Sequence, residues 1–283
     1  MAEKLGAFAT DITDEEREKV ELLRAEVKPF IKTAADVAFC TEGTYVRYLR
    51  ARHWHVHKAA RMLEATLTWR AEYKPYELRW SRVQHDVDKG KLYILKGTDN
   101  AGRPVILMRP RLETIQDNEA RLRFLVYTLE RAAQLGDSSP DGKMTWLLDL
   151  EEYSRKNSPP IRMALQTLHI LQNHFPERLG LAVCYQTPFV FEWMWRAVKA
   201  FVDVNTKKKL VFLHARDPPE ILREYFNPEH LDDSMGGKVP IDDAWNTEAY
   251  GKRMSALDFD VDTALMGADL ELTSIRNKAA GAE

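Results

Sequence analysis

The sequence predicts an α/β fold preceded by an N-terminal helical lobe, and two observations carry this prediction. Apolar residues recur with helical spacing over about the first 75 residues. From residue 90 onwards, apolar runs of strand length alternate with helical patterns. Such alternation is typical of a β-sheet with helices packed on it, because each helix buries its apolar stripe against the sheet.

Three helical patterns make up the predicted helical lobe. The first starts at Thr13, which a glutamate follows three residues later, and this pairing favours a helix N-terminus. The second runs over residues 36–51 and the third over residues 56–73, and Pro75 closes the lobe. Residues 1–12 carry no comparable pattern, so we expect them to be loose.

The rest of the chain is predicted to form the sheet and its covering helices. The strand-like runs are Lys91–Leu95, Pro104–Met108, Met144–Leu150, Leu179–Tyr185 and Lys209–Leu213. The helical patterns between them are Asp117–Leu135, Ile161–Asn173 and Phe189–Phe201. Periodicity weakens after Tyr250 and the chain ends in a polar, alanine-rich stretch, which is typical of a mobile tail. We therefore predict three regions, at residues 1–75, 76–250 and 251–283.

The composition is that of a globular protein, with 45% hydrophobic and 30% charged residues and a formal net charge of -2. This near-neutral balance argues against a nucleic-acid-binding protein, because such proteins usually carry a strongly basic face. No secretory signal is recognisable, and no apolar run approaches the ~20 residues that cross a bilayer. Cys40 and Cys184 lie far apart in apolar surroundings, which disfavours a disulfide. We therefore expect a cytoplasmic protein that contacts membranes peripherally.

Residues 175–213 combine the features expected of a site for an amphipathic ligand. Two apolar runs flank an aromatic-rich helical segment, and Glu177 and Lys209 stand as isolated charges at the starts of these runs. Because Lys209 opens an otherwise apolar strand, we expect its ammonium group to point inward or sideways, towards an anion. A wide apolar surface with a few placed charges suits a ligand with an apolar body and a polar head, so a lipid is the first hypothesis.

The helical segment within this stretch is apolar on both faces. Its aromatic residues are Phe189, Phe191, Trp193, Trp195 and Phe201. Phe191 and Trp195 fall on one side, whereas Trp193 and Phe201 fall on another. A helix that is apolar all round is either deeply buried or touches an apolar partner with its second face. The segment is therefore either plain core or the lid of a lipid cavity that also meets a membrane.

Enzyme signatures are absent from the sequence, which has no glycine-rich phosphate loop, no nucleophile elbow and no His-Glu-x-x-His zinc motif. His53, His55 and His57 lie between two helical patterns without a Cys, Asp or Glu to complete a ligand set, which favours a solvated or capping role over a metal site. We predict no catalytic residue, no metal and no cofactor. A lipid hydrolase that uses the same cavity is the alternative from another class, and it would need a nucleophile beside a base.

Three segments carry more specific motifs. They are Tyr48–Val56 (YLRARHWHV), Asp99–Val105 (DNAGRPV) and Leu171–Gly180 (LQNHFPERLG), of which the last is the most specific. These motifs resemble those of the CRAL-TRIO lipid-binding family, and within it those of the fungal secretory-pathway phosphatidylinositol transfer proteins. The resemblance covers about residues 36–240.

The resemblance implies an N-terminal helical bundle and a lipid-binding lobe whose pocket has a mixed β-sheet as its floor. It also implies a gating helix that opens at membranes, at residues 188–208. The family's contacts to the inositol phosphate headgroup would fall on Arg52, Asp99, Glu177 and Lys209. The basic side chains suit phosphate, whereas the carboxylates can accept hydrogen bonds from inositol hydroxyls or orient the basic groups.

The sequence departs from those family members that hold phosphatidylcholine through hydroxyl groups near the pocket floor. The corresponding positions are Ile106, Leu129, Met144 and Trp146, and none of them carries a hydroxyl. We therefore expect a phosphatidylinositol transfer protein that does not exchange phosphatidylcholine, and whose second ligand would be more apolar, such as a sterol. A lipid-sensing or presentation module that regulates phosphoinositide synthesis is the alternative within the same fold.

Overall fold

The computed structural model describes residues 11–86 and 90–280 and shows the predicted α/β fold with its helical lobe. A five-stranded sheet forms the centre. None of the helices in these ranges combines the length and the apolar character that crossing a bilayer requires. The looseness expected of residues 1–12 falls, except for the last two, outside the described residues.

Among residues 11–75, the N-terminal lobe consists of four α-helices: α1 Asp14–Val27, α2 Ala34–Phe39, α3 Glu42–Ala51 and α4 Val56–Tyr73. Thr13 and Glu16 form a capping box at the start of α1, where the sequence predicts it. The single helix predicted over residues 36–51 is two helices. The reason is a new cap, since the Thr41 side chain accepts a hydrogen bond from the backbone N–H of Thr44. The lobe packs α1 against α3 and α4 around its own apolar core.

The sheet is mixed, as the resemblance implies. Its strands are β1 Leu92–Thr98, β2 Pro104–Met108, β3 Met144–Asp149, β4 Leu179–Tyr185 and β5 Leu210–Phe212, and they lie side by side in that order. β1 is antiparallel to β2, whereas β2, β3, β4 and β5 are parallel to one another. Parallel neighbours need long crossover connections, and helices supply them here.

The helices after the lobe are α5 Trp80–Val83, α6 Asn118–Gly136, α7 Ile161–His174, α8 Phe189–Val198, α9 Val204–Lys207, α10 Ile241–Ala244 and α11 Thr247–Ala280. α6 packs on β1, β2 and β3. Its predicted apolar stripe, which includes Leu122, Leu125, Val126 and Leu129, is buried in the main core. The strand and helix patterns of the sequence therefore correspond to the elements that build the sheet and cover it.

α11 occupies the region where the sequence predicts a mobile tail. It runs through Tyr250, which is buried in the main core. Asp258 is buried as well, and it accepts hydrogen bonds from the Trp80 backbone N–H (2.6 Å), the Tyr127 hydroxyl (3.1 Å) and the Arg131 Nε (2.7 Å). The one-sided apolar pattern is weak because α11 carries apolar residues on opposite faces and an aspartate at this core-facing position. The last three residues of the expected tail lie outside the described residues.

Buried polar and aromatic contacts join the two lobes. Arg70 of α4 forms a bidentate ion pair with Glu130 of α6, with N–O distances of 2.8 and 2.9 Å. Trp69 of α4 stacks on His174 at the end of α7, with ring centroids 4.2 Å apart. A bidentate arginine–carboxylate pair fixes distance and orientation together, so the lobes are held in a defined relative position.

Candidate functional site

A cavity of about 650 Å³ lies between the sheet, α7 and the segment that carries α8 and α9. Its walls are largely apolar. The apolar residues that line it are Ala51, Leu129, Met144, Trp146, Leu168, Leu171, Phe175, Pro176, Leu179, Ala182, Trp195, Val202, Val204 and Leu210. A cavity of this size and lining suits a ligand with a large apolar body.

Glu177 and Lys209 meet at this cavity. Glu177 Oε2 and Lys209 Nζ are 3.7 Å apart, and their side chains are 26% and 21% exposed. They precede β4 and β5, which are parallel neighbours, so both residues lie at the end of the sheet where these two strands begin. The structure thus brings together the two isolated charges of residues 175–213.

The backbone of Glu177 is unusual. Its φ of 57° is left-handed, a conformation that is uncommon for a residue with a Cβ atom. Its neighbours hold it there, because Phe175 and Arg178 are buried and the Arg178 carbonyl accepts a hydrogen bond from the Met144 N–H at 2.8 Å. Such residues cost about 1–3 kcal/mol and cluster at functional sites. The strained residue here carries one of the two charges of the cavity pair.

Arg178 is a cavity residue that the sequence reasoning missed as an individual side chain. Its Nη1 donates hydrogen bonds to Asp137 Oδ1 at 2.6 Å and to the Gly142 carbonyl at 3.0 Å. These bonds tie the turn before β4 to the end of α6 and to the approach to β3. The signal was present in LQNHFPERLG, where this arginine directly follows Glu177.

The helical lobe contributes Arg52 to the cavity. Arg52 follows α3, and its Nη1 donates a hydrogen bond to the Ala51 carbonyl oxygen at 2.9 Å. The backbones of the next two residues, His53 and Trp54, are left-handed like that of Glu177, with φ of 49° and 61°. The chain therefore bends sharply between α3 and α4, and this bend forms part of the cavity wall.

Asp99, the fourth predicted headgroup contact, is not among the residues that line the cavity. Its buried carboxylate accepts hydrogen bonds from the N–H groups of Ala101 (2.9 Å) and Arg103 (2.8 Å) and from the Thr145 hydroxyl (2.6 Å). These bonds close the turn between β1 and β2 and join it to β3. Asp99 is thus a turn-closing residue in this structure, and its contact with a headgroup stays a prediction.

Three of the four predicted floor residues line the cavity. They are Leu129, Met144 and Trp146. Ile106 does not line it, because it is fully buried in the main core on β2, in register with Trp146 of β3. In the part of the chain that the structure describes, the cavity is bounded by β3, β4 and β5 rather than by β2.

The aromatic segment has an inner and an outer face. On the inner face, Phe191 packs edge-on against Tyr153 with ring centroids 5.4 Å apart, and Trp195 lines the cavity. The aromatic residues on the outer face are Phe189, Trp193 and Phe201, which are 71%, 58% and 61% exposed. The segment is therefore not plain core, because one of its two apolar faces is open to the outside.

A hydrogen bond that the sequence reasoning missed ties this segment to α7. Gln172 Nε2 donates to the Phe201 carbonyl oxygen at 3.0 Å. Gln172 lies in LQNHFPERLG and also lines the cavity. Any movement of the segment away from α7 would break this bond.

The three clustered histidines lie in different surroundings. His57 Nδ1 is 2.9 Å from Glu26 Oε1, His55 precedes α4, and His53 lines the cavity. Among residues 11–86 and 90–280, no group of three or more His, Cys, Asp or Glu side chains is arranged to hold a metal ion.

Two family models and several known proteins match this chain. The family model of the CRAL/TRIO domain matches residues 88–237, and that of the CRAL/TRIO N-terminal domain matches residues 5–65. A CRAL-TRIO domain-containing protein of Schizosaccharomyces pombe is 30% identical over 77% of this chain and 20% of its own length. The phosphatidylinositol transfer protein PDR17 of Saccharomyces cerevisiae is 30% identical over 73% of this chain and 59% of its own length.

The chain therefore spans between a fifth and three fifths of the length of these two curated relatives. Among solved structures, the crystal structure of Sfh5 superposes with a TM-score of 0.62 at 20% identity, over 84% of this chain and 91% of that one. At that identity the likeness concerns the fold, and it agrees with the mixed sheet and helical lobe described above.

Proposed function

Because this chain belongs to the CRAL/TRIO family, we propose that it binds phosphatidylinositol and carries it between membranes without catalysing a reaction. PDR17 is named as a phosphatidylinositol transfer protein, and that activity is extended to this chain as part of the proposal. The observation that carries it is the Glu177–Lys209 pair in a cavity that combines a wide apolar wall with a few polar side chains such as Arg52 and Gln172.

The polar atoms of this pair suit a phosphorylated headgroup. A separation of 3.7 Å exceeds the range of a good hydrogen bond, which is about 2.7–3.2 Å, so both groups keep hydrogen-bonding capacity for a ligand. Lys209 and Arg52 supply the positive charge that a phosphate requires, and Glu177 can accept hydrogen bonds from inositol hydroxyls. The acyl chains would lie along apolar residues such as Leu129 and Trp146.

The outer face of residues 188–208 suits a transient contact with a membrane surface. Its exposed aromatic side chains are of the kind that enter the headgroup region of a bilayer. Arg196, Lys199, Lys207 and Lys208 are exposed in the same segment and would be attracted to anionic lipids, at about 1 kcal/mol per basic residue. In this proposal the segment is the gate, which moves away from α7 when the protein docks.

The proposal includes discrimination against phosphatidylcholine. Leu129, Met144 and Trp146 line the cavity and have no hydroxyl to donate to a phosphocholine group. An apolar molecule such as a sterol would meet no unsatisfied polar group against these residues, so it is the proposed second ligand.

Mass spectrometry of the lipids that co-purify with the protein tests the proposal directly. We expect phosphatidylinositol at close to one molecule per chain, and transfer of labelled phosphatidylinositol from donor to acceptor vesicles. A purified, folded protein that carries no phosphatidylinositol and does not move it between vesicles would contradict the proposal.

A further inference from the structure

The C-terminal helix α11 has two stripes on opposite faces. The inner stripe consists of positions spaced alternately by three and four residues and packs along α2 and α5: Gly251, Met254, Asp258, Val261, Leu265, Ala268 and Leu272. The outer stripe has the same alternating spacing: Phe259, Thr263, Met266 and Leu270. At 100° per residue, the two stripes lie on opposite sides of the helix.

The outer stripe is unpartnered. Phe259, Met266 and Leu270 are 70%, 68% and 74% exposed. Single exposed apolar residues are ordinary on a protein surface, but aligned ones form a patch of the kind that marks an interaction site. These three are aligned over about three turns of helix, or roughly 16 Å at 1.5 Å per residue.

Carboxylates border the outer stripe on both sides. On the helical projection Asp260 and Glu271 lie along one edge, and Asp262 and Asp269 lie along the other. Between Met254 and Ile275 the sequence contains no Lys or Arg. Asp262 has an ion-pair partner in Arg79, whereas Asp260, Asp269 and Glu271 are exposed and have no ion pair with any side chain of residues 11–85 and 90–274 that the structure describes.

The acidic residues beside the outer stripe favour some binding partners over others. A second copy of this chain bound through the same face would set carboxylates against carboxylates, which is unfavourable. An anionic membrane would repel the same groups, in contrast to the basic segment at residues 188–208. A cationic partner satisfies both the apolar stripe and its acidic edges.

We propose that the outer stripe of α11 docks a basic amphipathic helix of a partner protein. Apolar side chains of that helix would pack on Phe259, Met266 and Leu270, in the manner of a helix seated on an apolar face. Its Lys or Arg side chains would flank this contact and meet the carboxylates at both edges, which sets the choice of partner as flanking charges do in coiled coils. This surface lies on a different element from the lipid cavity, and the inference does not depend on the proposed lipid.

The test uses a synthetic, fluorescently labelled helical peptide with leucine along one face and lysine on both flanks. We expect saturable one-to-one binding by fluorescence anisotropy, weakening as salt is raised. The variant Phe259→Ser/Met266→Ser/Leu270→Ser should lose at least tenfold in affinity, although its charge is unchanged. Leu22→Ser, at a 53% exposed leucine of α1, is the matched control and should bind as the unmodified protein does.

A charge-reversal variant provides a second test in case the triple serine variant does not fold. Asp260→Lys/Asp269→Lys/Glu271→Lys should release the lysine peptide and bind a peptide with glutamate on its flanks instead. Equal affinity of the lysine peptide for the unmodified protein and for the folded triple serine variant would overturn the proposal. Two further results would overturn it. If the unmodified protein dimerises in sedimentation and the triple serine variant does not, the occupant is a second copy. If the unmodified protein binds anionic vesicles and the triple serine variant does not, the occupant is a membrane.

Discussion

Lys209 Nζ lies 3.7 Å from Glu177 Oε2, and the two residues come together only because β4 and β5 are parallel neighbours. The pair is close enough for electrostatic attraction and too far apart for a short hydrogen bond. Neither side chain forms a hydrogen bond to another of the described residues. The pair therefore keeps the hydrogen-bonding capacity that the proposed headgroup contact requires.

Replacing this pair, Glu177→Ala/Lys209→Ala, should abolish phosphatidylinositol transfer and leave the fold intact. Hydrogen bonds to charged groups contribute about 1.5–3 kcal/mol each, so losing two should weaken binding by two orders of magnitude or more. Glu248→Ala/Lys252→Ala removes an exposed ion pair of α11, with N–O distance 2.7 Å, and should leave transfer unchanged. Normal transfer by a folded cavity variant would show that the headgroup site is elsewhere.

Amide hydrogen exchange should report the movement of the gate. When liposomes are added, residues 188–208 should exchange faster, whereas β3 should stay protected, because only the gate leaves its packed position. Gln172→Ala should speed exchange in the gate even without liposomes, since it removes the bond to the Phe201 carbonyl. Gln116→Ala, at an exposed site, serves as the control. Unchanged protection of the gate on adding liposomes would instead indicate a fixed outer face.

Transfer should be selective between lipids. Donor vesicles loaded separately with labelled phosphatidylinositol, phosphatidylcholine or a sterol should show rapid transfer of the first and little or none of the second. Burying a phosphate without hydrogen-bond partners costs several kcal/mol, on the order of 2–7, and Leu129, Met144 and Trp146 offer none. Equal rates for the two phospholipids would mean that these residues do not face the headgroup.

Asp258→Ala should destabilise the protein strongly, even though the residue lies beyond the matched CRAL/TRIO domain. Its carboxylate accepts three hydrogen bonds, including one from the buried Arg131. Removing one partner of a buried ion pair typically costs 3–5 kcal/mol, and we expect a loss of roughly that size in urea unfolding. Asp260→Ala, at an exposed neighbour, should change the free energy of unfolding by less than about 0.5 kcal/mol. Similar midpoints for the two variants would contradict the structural role of α11.

Stability should fall in acid through His174. Burial, followed by the charges of His169 and Arg70, lowers the pKa of His174 to about 4, below the value of about 6.5 in an unfolded chain. Between those values the unfolded chain binds a proton that the folded protein does not, so the free energy of unfolding decreases as the pH falls from about 6.5 to about 4. His174→Phe should flatten this part of the profile, and His85→Gln, at an exposed site, should not. An identical slope in all three proteins would assign the acid sensitivity to other groups.

The sequence predicts those features that depend on local patterns. The strands and most helices follow from periodicity, and the meeting of Glu177 with Lys209 follows once β4 and β5 are parallel neighbours. The outer face of the aromatic segment could be inferred because Trp193 and Phe201 fall opposite the inner aromatic residues.

Other features depend on tertiary contacts that no local pattern reveals. Asp99 has the right type for a ligand contact, but its carboxylate also accepts a hydrogen bond from the Thr145 hydroxyl, 46 residues away in sequence, which no local pattern shows. α11 escapes prediction because the partners that make Asp258 a core residue lie over 100 residues earlier. The Gln172 bond is equally hidden, since its acceptor is a backbone oxygen.

The cavity wall is shared between two separately recognisable sequence regions, because Arg52 belongs to the helical lobe and Lys209 to the sheet lobe. If the proposed headgroup contacts hold, ligand choice depends on both regions. A chimaera that joined this helical lobe to the sheet lobe of a relative would combine the cationic side chains of two parents in one cavity. The short stretch between the two matched regions, residues 66–87, is thus a poor point at which to recombine members of this family.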